Sequence, residues 1–159
     1  MRNVREDVYK IVQDVKALLR RSGVTIPAQV DLEISHHYGI DRFYEFGLTM
    51  MTVVNRVYCK KLIVLLPGQK HPTQYHQQKE ETFHILYGEV DIELNGTGRR
   101  LKTGETITVE RGVQHFFGSE TGAIIEEISS THNADDSFYL DPEIARNENR
   151  KTLLTYWFD

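Results

Sequence analysis

Val4, Val8, Ile11, Val12, Val15, Leu18 and Leu19 recur at helical spacing, with Arg5, Glu6, Asp7, Lys10, Asp14, Lys16 and Arg20 on the opposite side. The spacing predicts an amphipathic helix of about five turns, capped by Asn3 and stopped by Ser22-Gly23. Its polar side mixes both charges, so it reads as a cover for a core or a subunit interface rather than a membrane-surface helix. Past Pro27 the period changes from 3.6 to 2. Val30, Leu32 and Ile34 alternate with Asp31 and Glu33, which predicts a strand ending at His36-His37. Adjacent residues on a strand face opposite ways, so these two histidines are expected to be structural or exposed rather than joint ligands.

Gly47 to Leu66 is rich in β-branched and aromatic residues. A turn or edge is expected at Asn55-Arg56 and at Cys59-Lys60-Lys61, with the lysine pair on a solvated edge. Phe83 to Leu86 is a further apolar run. Beyond Gly88, Val90, Ile92 and Leu94 alternate with Asp91 and Glu93 up to Asn95-Gly96, a hairpin turn signal that puts Arg99-Arg100 on the solvent side of the return strand. Thr106 to Val109 and Ala123 to Ser129 add two more strands. The terminal Leu153-Leu154-Thr155-Tyr156-Trp157-Phe158 is expected to pack on the body of the protein or on a second subunit. The pattern is a helix (1–24) followed by eight or more short strands in a small β-barrel (25–142) and a tail (143–159).

With 159 residues, one domain is the default. A composition of 40% hydrophobic and 26% charged residues is that of an ordinary globular chain. Nineteen basic residues are spread along a chain of net charge −4, which argues against nucleic acid as a partner. Cys59 stands alone and has no internal disulfide partner. No apolar run approaches the roughly 20 residues that span a bilayer, and Met1 to Asp7 lacks an apolar signal core, so no membrane and a cytoplasmic location are expected.

The chemistry gathers between Pro67 and Gly88. Strand alternation turns Gln74 and His76 the same way, and a hairpin would bring Glu81, Phe83 and Ile85 onto that face. Imidazole plus carboxylate suits one divalent transition ion, Mn, Zn, Fe or Ni, better than calcium. His115, after the Glu110-Arg111-Gly112 turn, is the expected third ligand. Gln74 offers an amide oxygen as a further one. His71 is a reserve donor on a loop, and His84 faces away from Glu81. Glu126 and Glu127 occupy opposite sides of one strand, so one of them enters the barrel.

The order of these residues resembles the two motifs of the cupin superfamily, double-stranded β-helix (jelly-roll) barrels. The first cupin motif has His-x-His where this chain has Gln74-Tyr75-His76. Pro67-Gly68-Gln69, Pro72, the Gln74-x-His76-x-x-Lys79-x-Glu81 spacing, His115-x-Phe117 and Gly122 to Ser129 leading into Asn133-Ala134-Asp135-Asp136 resemble the D-lyxose isomerase type of sugar isomerase. The likeness runs from Lys60 to Pro142. The same segment is also similar to cupin modules that accompany nonulosonic (sialic) acid synthases. The resemblance implies that Lys79 is catalytic, that Glu127, in Glu127-Ile128-Ser129, is the inward carboxylate, and that the protein is a homodimer with exchanged terminal strands.

The leading expectation is therefore an all-β cupin barrel with an N-terminal helix, acting as a metal-dependent aldose–ketose isomerase on a sugar. Glu127 would move the proton, and Lys79, its charge disfavoured in a partly dry cavity, would act on the sugar oxygens. A non-catalytic sugar-binding module is kept open by Gln74. A non-haem iron oxygenase is kept open by the set of two histidines and one carboxylate.

Overall fold

The computed structural model describes residues 3–158; Met1, Arg2 and Asp159, which the expected N-terminal helix, signal-core reading and C-terminal tail include, lie outside the described residues. Helix α1 (Val4–Ser22) begins where the Asn3 side chain accepts the Arg5 N–H, and ends at Gly23 in the left-handed conformation. Its buried stripe, Ile11, Val12, Val15, Leu18 and Leu19, is the one the 3.6-residue period marks.

The strands are β1 (Leu32–His36), β2 (Gly47–Asn55), β3 (Tyr58–Leu65), β4 (Lys70–Tyr75), β5 (Glu81–Leu94), β6 (Thr97–Lys102), β7 (Thr106–Val109), β8 (His115–Gly118), β9 (Ala123–Ser130), β10 (Phe138–Tyr139) and β11 (Lys151–Leu154), with a short helix α2 (Pro142–Arg146) before the last. All neighbouring strands run antiparallel. One wall has the order β11-β1-β2-β3-β9-β5-β7, and the other holds β10-β4-β8-β5-β6. Strand β5 belongs to both. Its first part pairs with β9 and β7, its second with β6 and β8, and the change of wall falls at Gly88. Gly88 has φ 85°, and a Cβ there would come within 2.2 Å of the Gly122 carbonyl oxygen, so only glycine permits this bend. The two apolar runs on either side of Gly88 are thus one bent strand rather than two.

Two apolar layers result from one alternation. Leu62, Val64 and Leu66 point outward beneath α1, together with Leu32, Ile34, Met51, Ile124 and Trp157. Ile63, Leu65, Phe83, Ile85, Val90, Ile92, Phe117 and Ile125 fill the interior of the barrel at one end. The tail joins the outer layer: β11 pairs with β1, Leu154 and Phe158 pack on it, and the Trp157 indole donates to the Val30 carbonyl at 2.8 Å. No described helix is long and apolar enough to cross a membrane.

Three local expectations are corrected. Cys59-Lys60-Lys61 is neither turn nor edge, because β3 is flanked by β2 and β9. Lys60 faces outward to Glu126 at 3.0 Å, but Lys61 is buried inside the barrel. Lys70 to Gln74 is a strand, not a loop, and His71 is buried with its ring stacked on Phe117. Strands β4 and β5 form no hairpin; β4 pairs with β8 and β10 in the opposite wall from Glu81, so Gln77–Glu80 crosses between walls.

Candidate metal centre and active site

The polar end of the barrel interior is assembled from four strands. On β4, alternation turns Gln74 inward, and the chain leaves the strand at His76. Across the hollow, the first residue of β5, Glu81, lies on the same side as Phe83 and Ile85. His115 opens β8, in register with Gln74. The structure therefore brings His76, Glu81 and His115 together, all buried, with one potential ligand atom from each within 4.8 Å of the others.

Hydrogen bonding sets the tautomers. His76 Nδ1 lies 2.7 Å from the Asp136 carbonyl oxygen and His115 Nδ1 lies 3.0 Å from that of Val113. A carbonyl only accepts, so each Nδ1 carries the proton and each Nε2 presents a lone pair. His115 Nε2 is 3.1 Å and His76 Nε2 is 3.5 Å from Glu81 Oε1. None of these atoms has a hydrogen-bond partner, nor does Gln74 Oε1. Nitrogen lone pairs facing a carboxylate inside a protein repel unless a cation lies between them. The donor set of two imidazoles, a carboxylate and an amide oxygen fits a divalent transition ion.

Lys79 and Glu127 border this cluster. The Lys79 ammonium is 3.3 Å from Glu81 Oε2, 3.4 Å from Glu127 Oε2 and 3.3 Å from His132 Nδ1. Burial works against its charge, but Glu127 and Glu81 outweigh it and raise its pKa. Lys79 is thus held as a cation, contrary to the expectation that a dry cavity would disfavour its charge. Burial, then the neighbouring Glu81, raises the Glu127 carboxyl above its usual range, with Lys79 and Lys61 pulling the other way.

The remaining candidates fall outside the cluster. His71 packs among Phe117, His37 and Tyr139, and burial drives its pKa well below 6.5. His84 meets Glu126 at 3.3 Å on the outer side. His36 and His37 are buried, the first against Thr152 and the second against the Phe46 carbonyl.

Two residues escaped the sequence reading. The Asp136 carboxylate accepts the backbone N–H groups of Gln77, Gln78 and Lys79 while its carbonyl orients His76, so it shapes the whole crossing that carries Lys79. Its sequence signal is its place in the Asn133-Ala134-Asp135-Asp136 stretch, which gives it no role by itself. Lys61 is the second; its lysine pair looked like a solvated edge.

The family model "Cupin domain" matches residues 61–128. The chain is 27% identical to the D-lyxose/D-mannose isomerase of Thermosediminibacter oceani, an alignment covering 89% of this chain and 95% of that one. It is 26% identical to the D-lyxose ketol-isomerase of Cohnella laeviribosi, over 83% and 89% of the two chains. Among solved structures, the L-ribose isomerase of Geodermatophilus obscurus superposes with a TM-score of 0.73 at 15% identity, over 89% of this chain and 94% of that one. The segment that matches the cupin model runs from β3 into β9 and contains the bent strand that the two walls share, so the likeness falls on the part of the barrel that carries the site.

Proposed function

We propose that the protein is a metal-dependent aldose–ketose isomerase acting on a free sugar. The observation that carries this reading is the convergence of unpartnered buried ligand atoms, His76 Nε2, His115 Nε2, Glu81 Oε1 and Gln74 Oε1, beside a lysine–glutamate pair not needed to hold an ion. The relatives named D-lyxose isomerase, alignable over most of their length, support the same class. A divalent ion held by His76, His115, Glu81 and the Gln74 amide oxygen would supply positive charge for the carbonyl and adjacent hydroxyl oxygens of the open-chain sugar.

Glu127 is the base. Its raised pKa makes it a stronger proton acceptor than an exposed carboxylate, which suits removal of a proton from the carbon beside a carbonyl. Glu127 takes that proton from C2 of the aldose, leaving an enediolate, and returns it to C1, while the proton of the C2 hydroxyl passes to the C1 oxygen, giving the ketose. The Lys79 ammonium, fixed between Glu81 and Glu127, donates hydrogen bonds to the sugar oxygens as negative charge grows on them. The Asp136 carboxylate holds the backbone that presents Lys79, and its carbonyl keeps the His76 Nε2 lone pair aimed inward.

The test is NMR of D-lyxose and D-mannose in deuterated water with protein purified without chelator, alongside metal analysis. The expected result is a bound divalent metal, ketose formation and solvent deuterium at the carbon beside the carbonyl, all abolished by chelation. Metal with oxygen uptake and no exchange would identify an oxygenase instead. Saturable sugar binding without metal or exchange would identify a binding module.

A further inference from the structure

A cavity of about 570 Å³ opens on the inner side of β1, β2 and β11, lined by Glu33, Met50, Thr52, Leu153, Tyr156 and Trp157 among others. None of the candidate metal ligands lines it, and neither Lys79 nor Glu127 does. What connects it to them is Lys61. On β3, Lys61 is in register with Thr52 of β2 on one side and Glu127 of β9 on the other, so the three side chains share the inner face of adjacent strands. Its Nζ lies 3.9 Å from Met50 Sδ, in the cavity lining.

Lys61 is 5% exposed, yet its ammonium makes no ion pair among the described residues, and its hydrogen-bond neighbour is a thioether. Sulfur is a weak acceptor, and three N–H donors withdrawn from water without oxygen partners are costly. Lys61 adds to the positive charge around Glu127 but makes no ion pair with it, since the Lys79 ammonium holds that contact at 3.4 Å. Packing does not explain its burial, since a methionine or leucine would fill the same space without the cost. A cation kept dry between a reacting carboxylate and an open cavity is placed to meet the oxygen atoms of an incoming molecule.

We propose that this cavity receives the part of the sugar remote from the reacting carbons, and that Lys61 holds it there by donating to its hydroxyl or ring oxygens. The inference rests on the isomerase reading. Asp31 and Glu33 on the cavity wall, the latter 3.6 Å from Lys151, add carboxylate acceptors for sugar hydroxyls. The aromatic side chains of Tyr156 and Trp157 supply the apolar surface against which the C–H face of a sugar packs.

The test is steady-state kinetics of the metal-loaded protein on D-lyxose and D-mannose for Lys61→Met, Lys61→Arg and Thr52→Trp, with metal content and thermal midpoint measured for each. Lys61→Met is expected to raise KM about tenfold or more while kcat changes less than about threefold, with metal content unchanged and thermal stability equal or higher. Lys61→Arg is expected to recover most of the lost KM. Thr52→Trp, which narrows the cavity beside Lys61 while keeping its charge, is expected to raise KM as well, and reads the proposal should Lys61→Met fail to fold. KM within twofold of the wild type in Lys61→Met and Thr52→Trp, or lost kcat and metal at unchanged KM, would overturn it. A wild type inactive on both sugars overturns the isomerase reading, and this inference falls with it; an active wild type with unaltered variants overturns this inference alone.

Discussion

Strand β3 serves two regions on alternate residues, and they obey opposite rules. Leu62 and Val64 point outward under α1 into a layer of Ile11, Val15, Leu18, Leu32 and Ile124, where every contact is apolar and burial is favourable by itself. Lys61, one residue away, points inward to a space holding Lys79, Glu81, Glu127, His76 and His115, all buried and several without partners. The outer layer would be as stable with any side chains of the right size and polarity. The inner one is unfavourable unless something else occupies it. Burial of charge without satisfaction therefore marks where this molecule does chemistry, and satisfied apolar burial marks where it only holds together.

Substitutions on the two sides of the wall sharpen that contrast. The largest effect is expected from Glu127→Gln, which keeps the shape but removes the base. Isomerase activity should fall about 10²–10⁴-fold, measured as ketose formation and deuterium uptake, with metal content and thermal midpoint unchanged. Retained deuterium uptake would assign the proton transfer to another group.

Leu18→Ala, in the outer layer, should do the reverse. It is expected to cost about 2–5 kcal/mol in denaturant unfolding, with kcat/KM of the folded protein within about twofold of the wild type. A selective loss of kcat/KM would mean that the two regions are coupled through β3.

Acid should act through the interior. Burial lowers the His37 pKa from 6.5 to about 4, and drives His71 and His132 down as well. The folded state thus keeps these rings neutral where the unfolded chain would protonate them. Stability is expected to be full above about pH 6.5 and to fall as pH drops toward 4, by about 3 kcal/mol from His37 alone. Denaturant midpoints across that window check it, and His37→Gln should flatten the slope.

Much of this was legible in the sequence. The 3.6-residue period of α1, its Asn3 cap and Gly23 stop, and the alternation of β1, β5 and β9 are local properties, set by backbone geometry over a few residues. The spacing of His76, Glu81 and His115 carried the candidate centre, and the Glu126–Glu127 alternation left one carboxylate for the interior. Lys61, Asp136 and the surroundings of His71 were not legible. A lysine pair reads as solvated unless one knows that its strand has neighbours on both sides, and an acid reads as a surface group unless a distant turn brings three N–H groups to it.

By itself, then, the sequence determined which residues share a face and which groups carry donor chemistry, because alternation and side-chain type need no partner strand. Only the tertiary structure decided which strands lie in the middle of a wall, that β4 and the start of β5 face each other across a hollow rather than along a hairpin, and that the Lys61 ammonium stands dry beside a cavity. Those outcomes depend on pairings between residues far apart in the chain, which no local period encodes.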